Sequence, residues 1–165
     1  MSISLPLKQV FKFKVPGVLA LAIFAGQFLV NELPKVKEPL CKIDVERPHT
    51  STYLKQRKNL EILKLNVTTE CTVPQEFTIL NADIQAIVDN VQISVQRFDN
   101  ELRVPDEKGR FKAKYRDLQV DCDSLEPTMY FGQAQAEIHL KNGEVEKLSG
   151  DSQYFVSQDC KIDAK

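Results

Sequence analysis

From Cys41 onward the chain is written in a period of two. Cys41, Ile43 and Val45 alternate with Lys42, Asp44 and Glu46. Leu63, Leu65, Val67, Thr69, Cys71 and Val73 alternate with Lys64, Asn66, Thr68, Glu70 and Thr72. Further on, Val91, Ile93 and Val95, then Phe111, Ala113 and Tyr115, then Tyr130, Gly132, Ala134, Ala136, Ile138 and Leu140 repeat the pattern against polar neighbours. Successive side chains of a strand point to opposite faces, so each run predicts a strand with one face buried.

Turn chemistry joins these runs. Asn142-Gly143 follows Leu140, and Asn-Gly predicts a type I′ hairpin because both central residues then need positive φ. The chain continues through Val145, Leu148, Tyr154 and Val156 to Cys160, with Gly150 expected at a bulge or kink. Residues 77–98 fit two templates. Ile84, Ile87, Val88, Val91, Val95 and Phe98 also form a helical stripe, but the Ile and Val content favours two strands turning at Asp89-Asn90. Pro48-His49-Thr50-Ser51 and Asp99 to Arg110 read as loops. About seven strands result, which predicts an all-β, antiparallel, immunoglobulin-like sandwich over residues 41–165. The Trp typical of antibody domains is absent.

The first thirty residues break the period. Val15 to Val30 is apolar, Lys8, Lys12 and Lys14 precede it, and no Asp or Glu occurs before residue 31. That order predicts one N-terminal apolar helix, either a signal peptide or a membrane anchor, with the rest of the chain exported. As a helix the run spans about 24 Å against a hydrocarbon core of about 30 Å. Cleavage after Ala25 places the bulky Ile23 two positions earlier, whereas Ala20-Leu21-Ala22 would leave too short an apolar region. Anchor and cleaved signal both remain open. Asn31 to Leu40, with Pro34 and Pro39 among charges, reads as a stalk.

All four cysteines, Cys41, Cys71, Cys122 and Cys160, lie beyond the apolar run, as expected of disulfides in an oxidising compartment. Four cysteines allow three pairings. Cys41–Cys71 with Cys122–Cys160 is favoured, because the antiparallel strand ends would then be neighbours; Cys71–Cys122 is the alternative. No C-x-x-C spacing occurs, and His49 and His139 are far from any cysteine in sequence, so no metal site and no cofactor are expected.

Charge excludes some partners. Beyond residue 30 the chain holds all 23 acidic and 19 of 22 basic residues, a net of about −4, which is not the signature of a specific nucleic-acid binder. Lys108, Arg110, Lys112, Lys114 and Arg116 nevertheless recur at every second position and would share one strand face, opposite Phe111, Ala113 and Tyr115. Two readings apply. The stripe is a solvated face with acids on the adjoining strand, such as Glu137, Glu144 or Glu146, or it binds an anion such as a phosphate-rich polymer or lipid headgroup. Ser51 and His49 with Asp44 or Glu46 supply the residue types of a nucleophilic triad, but no G-x-S-x-G elbow is present, and a turn explains them. His139 falls on the polar phase of its strand. Asn66-Val67-Thr68 matches a glycosylation sequon inside a strand. No catalytic residue is expected.

Cys41, Pro48-His49 with Ser51, Cys71 with Pro74, Cys122, and Tyr130-Phe131-Gly132 with Ala134 and Ala136 together resemble small exported bacterial modules with an immunoglobulin-like sandwich. That resemblance implies fold and export, and no reaction. The single N-terminal span and the strands carrying Gly132, Gly143 and Gly150 are also similar to the bitopic proteins of lipopolysaccharide transport, which implies a lipid carrier; four cysteines and the charged central loop depart from that family. The expected function is a non-enzymatic binding or assembly domain at the cell envelope or surface. Its expected partners are the membrane, if the helix is retained, and an anionic envelope polymer or a protein. A released effector or inhibitor is the third alternative, and a hydrolase the least supported.

Overall fold

The computed structural model describes residues 40–163. The expected helix over Val15 to Val30 and nearly all of the stalk lie outside the described residues. Nine strands and one short helix follow in order: β1 (Cys41–Val45), β2 (His49–Thr50), α1 (Thr52–Lys58), β3 (Ile62–Cys71), β4 (Gln75–Val88), β5 (Val91–Arg103), β6 (Lys112–Asp121), β7 (Ser124–Leu140), β8 (Val145–Asp151) and β9 (Val156–Lys161). Every strand pairing is antiparallel, and the strands form two sheets.

In the first sheet β1 and β2 pair with successive parts of one edge of β3, and β6 takes the other edge. In the second, the order is β5-β4-β7, with β8 and β9 sharing the far edge of β7. The alternating residues fill the space between. Leu63, Leu65, Val67, Tyr115 and Leu118 from the first sheet meet Leu80, Ile84, Tyr130, Ile138 and Leu140 from the second, all buried. The middle of the second sheet is small: Ala82, Ala86, Gly132, Ala134 and Ala136. That lets the large side chains of the first sheet come close. A Cβ at Gly132 would overlap Leu65 Cδ1.

Side chains close both open edges of the sandwich. On one edge, Glu146 of β8 accepts from the backbone N–H of Leu40 (2.8 Å) and Cys41 (3.1 Å). Beside it, Gln158 of β9 accepts from Thr50 N (3.0 Å). On the other edge, Arg103 Nη2 of β5 donates to both carboxylate oxygens of Asp117 in β6 (2.6 and 2.9 Å), and its guanidinium stacks over the Tyr115 ring. These bonds hold strands that share no ladder, and the charges discourage strand addition there.

Two polar groups cross the core with their hydrogen bonds satisfied. Tyr115 Oη donates to the Thr78 carbonyl (2.8 Å), from one sheet to the other. Buried Gln75 accepts from Thr69 Oγ1 (3.1 Å) and Thr78 Oγ1 (2.8 Å), and donates to the carbonyls of Phe111 (2.9 Å) and Thr69 (3.3 Å). A buried amide costs little only when both ends are paired. Burial pushes the phenol pKa of both Tyr115 and Tyr130 above its ordinary value.

The disulfides are Cys41–Cys71 and Cys122–Cys160, and no free cysteine remains among the described residues. Cys41 and Cys71 are direct register partners in β1 and β3. Cys160 sits in β9, which pairs with the start of β7 beside Cys122. The favoured pairing is therefore the one formed.

Several local expectations are corrected. Residues 77–98 are two strands turning at Asp89-Asn90, as expected, and these two residues have φ of 51° and 62°. The type I′ signature thus falls here and not at Asn142-Gly143. That hairpin is a three-residue loop in which Gly143 N–H bonds to the Leu140 carbonyl, Leu140 N–H to Glu144, and only Gly143 has positive φ (85°). The predicted loop at Asp99 shrinks, because β5 runs on to Arg103, where the Asp117 bond anchors it. His49–Thr50 is a short strand, since Pro48 is buried and the next two residues reach β3. The last predicted run breaks in two at Ser152, whose buried hydroxyl accepts from Gly132 N (3.0 Å). Gly150 is no bulge: its register is regular, and a Cβ there would meet Ile43 Cγ2 at 3.0 Å and Val45 Cγ2 at 3.3 Å.

Candidate anion-binding face

The outer face of the first sheet is built from the polar phase of β1, β3 and β6. Register places Lys42, Glu70 and Lys112 in one row, Asp44, Thr68 and Lys114 in the next, and His49, Lys64 and Gln119 in a third. The expected stripe of five shortens: Lys108, Arg110, Lys112, Lys114 and Arg116 are all exposed, but Lys108 and Arg110 lie in the loop before β6, and only Lys112, Lys114 and Arg116 belong to the strand. Its members differ in what they meet. Lys112 pairs with Glu70 (2.9 Å), which also holds Lys42 (3.2 Å). The Lys112 ammonium, with Lys42, holds the Glu70 carboxyl below its ordinary pKa. Arg110 lies over the Phe111 ring. Lys108, Lys114 and Arg116 have no ion pair or side-chain hydrogen bond among the described residues.

The acids that answer the stripe were misplaced by sequence reasoning. β6 adjoins β3, so Glu70 is the partner. Glu137 and Glu146 lie on the other sheet. Glu137 bonds Lys147 (2.9 Å) and His139 (2.9 Å), which together lower its pKa, Lys147 most. Glu146 caps Leu40 and Cys41, as above, and Glu144 follows the β7–β8 turn.

A bulge decides where the stripe ends. Between Leu65 and Val67 the register with β6 shifts, so that two residues, Arg116 and Asp117, stand opposite the single Asn66. Bulges re-aim side chains. Asp117 turns to Arg103 at the sheet edge, which holds its carboxyl below the ordinary pKa. Arg116 turns outward into a depression of about 350 Å³, lined also by His49, Lys64, Asn66, Glu46 and the first residues of α1.

That helix was not anticipated. Ser51 caps it, accepting from Leu54 N (3.4 Å), and Asn59 ends it in the left-handed region with its N–H on the Leu54 and Lys55 carbonyls. Ser51 and Asn59 bracketing a seven-residue run that ends in five good helix formers, Leu54 to Lys58, were the available signal. No α1 residue is buried, so the helix stands clear of the sheet and forms one wall of the depression.

The triad residues do not assemble. Ser51 Oγ is the helix cap, His49 Nδ1 bonds the Arg47 carbonyl (3.1 Å), and Glu46 accepts from Asn66 Nδ2 (2.7 Å). A carbonyl only accepts, so His49 Nδ1 carries the proton. Asn66, the sequon residue, lies mid-strand and half-buried. His139 is not simply solvent-facing: it stacks on Phe77 with centroids 4.1 Å apart.

The outer face of the second sheet carries larger depressions, of about 480 and 370 Å³, centred on Asn81, Gln135 and their neighbours. Asp83, Asp99 and Glu137 outnumber Arg97 and Lys147 around them. That balance favours an anion less than the depression at Arg116, which sets two cations and a histidine against Glu46 alone. No group of His, Cys, Asp and Glu among the described residues is placed to hold a metal ion. No helix among them is long and apolar enough to cross a membrane. Compared with known proteins, the chain matches no family model and no curated protein.

Proposed function

We propose that the chain is an extracytoplasmic binding domain, an immunoglobulin-like sandwich without catalytic machinery, held at the membrane by its N-terminal segment or released from it. Its ligand is an anionic envelope polymer, met by the outer face of the first sheet. The observation that carries this reading is that Lys114 and Arg116 stand exposed and unpaired on that face, with Lys64 beside Arg116, while acids outnumber cations around the depressions of the opposite face. The two disulfides are compatible with the oxidising side of a membrane. A lipid carrier fits less well, because the space between the sheets is filled by buried Leu, Ile and Tyr side chains.

The test uses polyphosphate as a model anionic polymer. Each polymer charge neutralised adds to the linear fall of log affinity with log salt. Lys114→Gln with Arg116→Gln should weaken binding and flatten that slope. Lys112→Gln should do less, because Glu70 already answers Lys112. Equal binding by wild type and the Lys114→Gln/Arg116→Gln chain across the salt series would overturn the proposal.

A further inference from the structure

The depression beside Arg116 has a shape and charge that the stripe alone does not explain. Its cations come from different strands, Lys64 from β3 and Arg116 from the β6 bulge, and His49 of β2 is the direct register partner of Lys64. Neither cation has a partner among the described residues. The one carboxylate at the site, Glu46, is engaged by Asn66 Nδ2 (2.7 Å). Tyr53 stands at the rim, largely exposed, with Arg57 over its ring. At about 350 Å³ the depression lies at the small end of the range for small-molecule sites, roughly 300–1,000 Å³. It suits one compact group and not the length of a polymer.

The geometry points to a phosphoryl-group site formed by Arg116, Lys64 and His49. This rests on the anion-binding reading above and deepens it: the stripe meets a polymer along its length, and the depression takes a single phosphate ester. The arginine supplies a planar fork matched to two phosphate oxygens, and the lysine a mobile point charge. The His49 ring is held by its Nδ1 on the Arg47 carbonyl, which leaves Nε2 to hydrogen-bond a phosphate oxygen. The bulge clears the site of its nearest acid: Arg116 keeps the outward phase of Lys114, while Asp117 is carried to the sheet edge and held there by Arg103.

The oxidised full-length chain is titrated with inorganic phosphate, with glycerol 3-phosphate and with monomeric dihexanoyl phosphatidic acid, following the amide resonances of Asn66 and Arg116. All three should give saturable shifts centred on those residues. Tighter binding of the phosphatidic acid assigns the site to a lipid headgroup, and equal binding to a free phosphate ester. Arg116→Gln and Lys64→Gln should each weaken phosphate binding by about tenfold or more, with melting temperature unchanged. Lys112→Gln, at the paired end of the same face, should leave it unchanged. Absence of saturable shifts, or equal loss in all three variants, overturns the site. If polyphosphate still binds the full-length chain with its salt slope while phosphate does not, the site falls and the anion-binding reading stands. If neither binds, both fall.

Discussion

Gly132→Ala tests how closely the two sheets approach. Gly132 lies in the middle of β7 with ordinary negative φ, so its backbone would accept alanine. The obstacle is across the core. The new methyl would overlap Leu65 Cδ1 and touch Leu65 Cδ2 and Val45 Cγ1, both at 3.5 Å. Leu65 is fully buried, so it cannot swing into solvent. Forcing a methyl into such a core costs about 1–3 kcal/mol. Against this, alanine reduces the freedom of the unfolded chain, a gain of about 0.4–1 kcal/mol. The net expectation is a loss of about 1–2 kcal/mol, or roughly 4–8 °C in Tm for a domain of this size. Leu65→Ala alone should cost about 2–5 kcal/mol by leaving a cavity. In the double variant the methyl fills part of that cavity, so the two losses should fall short of their sum by about 1 kcal/mol or more. Urea denaturation of the four oxidised chains measures this coupling. Gly143→Ala is the control. There nothing lies within 4 Å, and the cost is that of the left-handed backbone, about 1–2 kcal/mol, which should add independently to Leu65→Ala. Additive losses for Gly132→Ala and Leu65→Ala, within about 0.5 kcal/mol, would refute the close approach.

Removing either disulfide by paired Cys→Ala substitution should cost about 3–4 kcal/mol in the chain-entropy model, since the bridges span 30 and 38 residues; intact-mass analysis after alkylation should find no free thiol in the native chain, and free thiols would sink the pairing. Tyr115→Phe removes the bond that Tyr115 Oη makes to the Thr78 carbonyl and should cost about 1 kcal/mol by thermal unfolding, with an unchanged Tm telling against that bridge. The Arg103 guanidinium holds the Asp117 pKa below 3.8, so the stabilisation from this pair is present above the unfolded value and is lost as pH falls through the lower folded one. The gap in urea midpoint between wild type and Asp117→Asn should therefore be full near pH 6 and close toward pH 2; a constant gap at every pH would show that the ion pair does not contribute.

The strands and their faces were legible because burial imposes the period of two directly on the residue order. Leu63 to Cys71 and Tyr130 to Leu140 show it without interruption, and the structure buries the expected phase of both. The disulfide pairing was legible for the same reason: strand ends brought together by antiparallel hairpins leave few neighbours for each cysteine. The basic stripe was visible as a line, but a line does not state what lies beside it. Sequence alone set Glu137, Glu144 and Glu146 against the stripe, whereas β6 packs on β3 and meets Glu70. Which strand adjoins which is a long-range choice that alternation does not encode. The bulge at Arg116 and Asp117 is of the same kind, since an extra residue has meaning only relative to a partner strand. So is the role of Gly150, whose missing Cβ makes room for Ile43 and Val45 of a strand about a hundred residues earlier. The sequence by itself therefore determined the all-β class and most of the buried faces, Val91 and Phe111 being exposed exceptions, and it favoured the cysteine pairing that forms, because these follow from local periodicity and from chain ends that hairpins bring together. Only the tertiary structure decided which cations remain unpaired and where they converge, because Coulomb and hydrogen-bond partners are set by distance through space and not by distance along the chain.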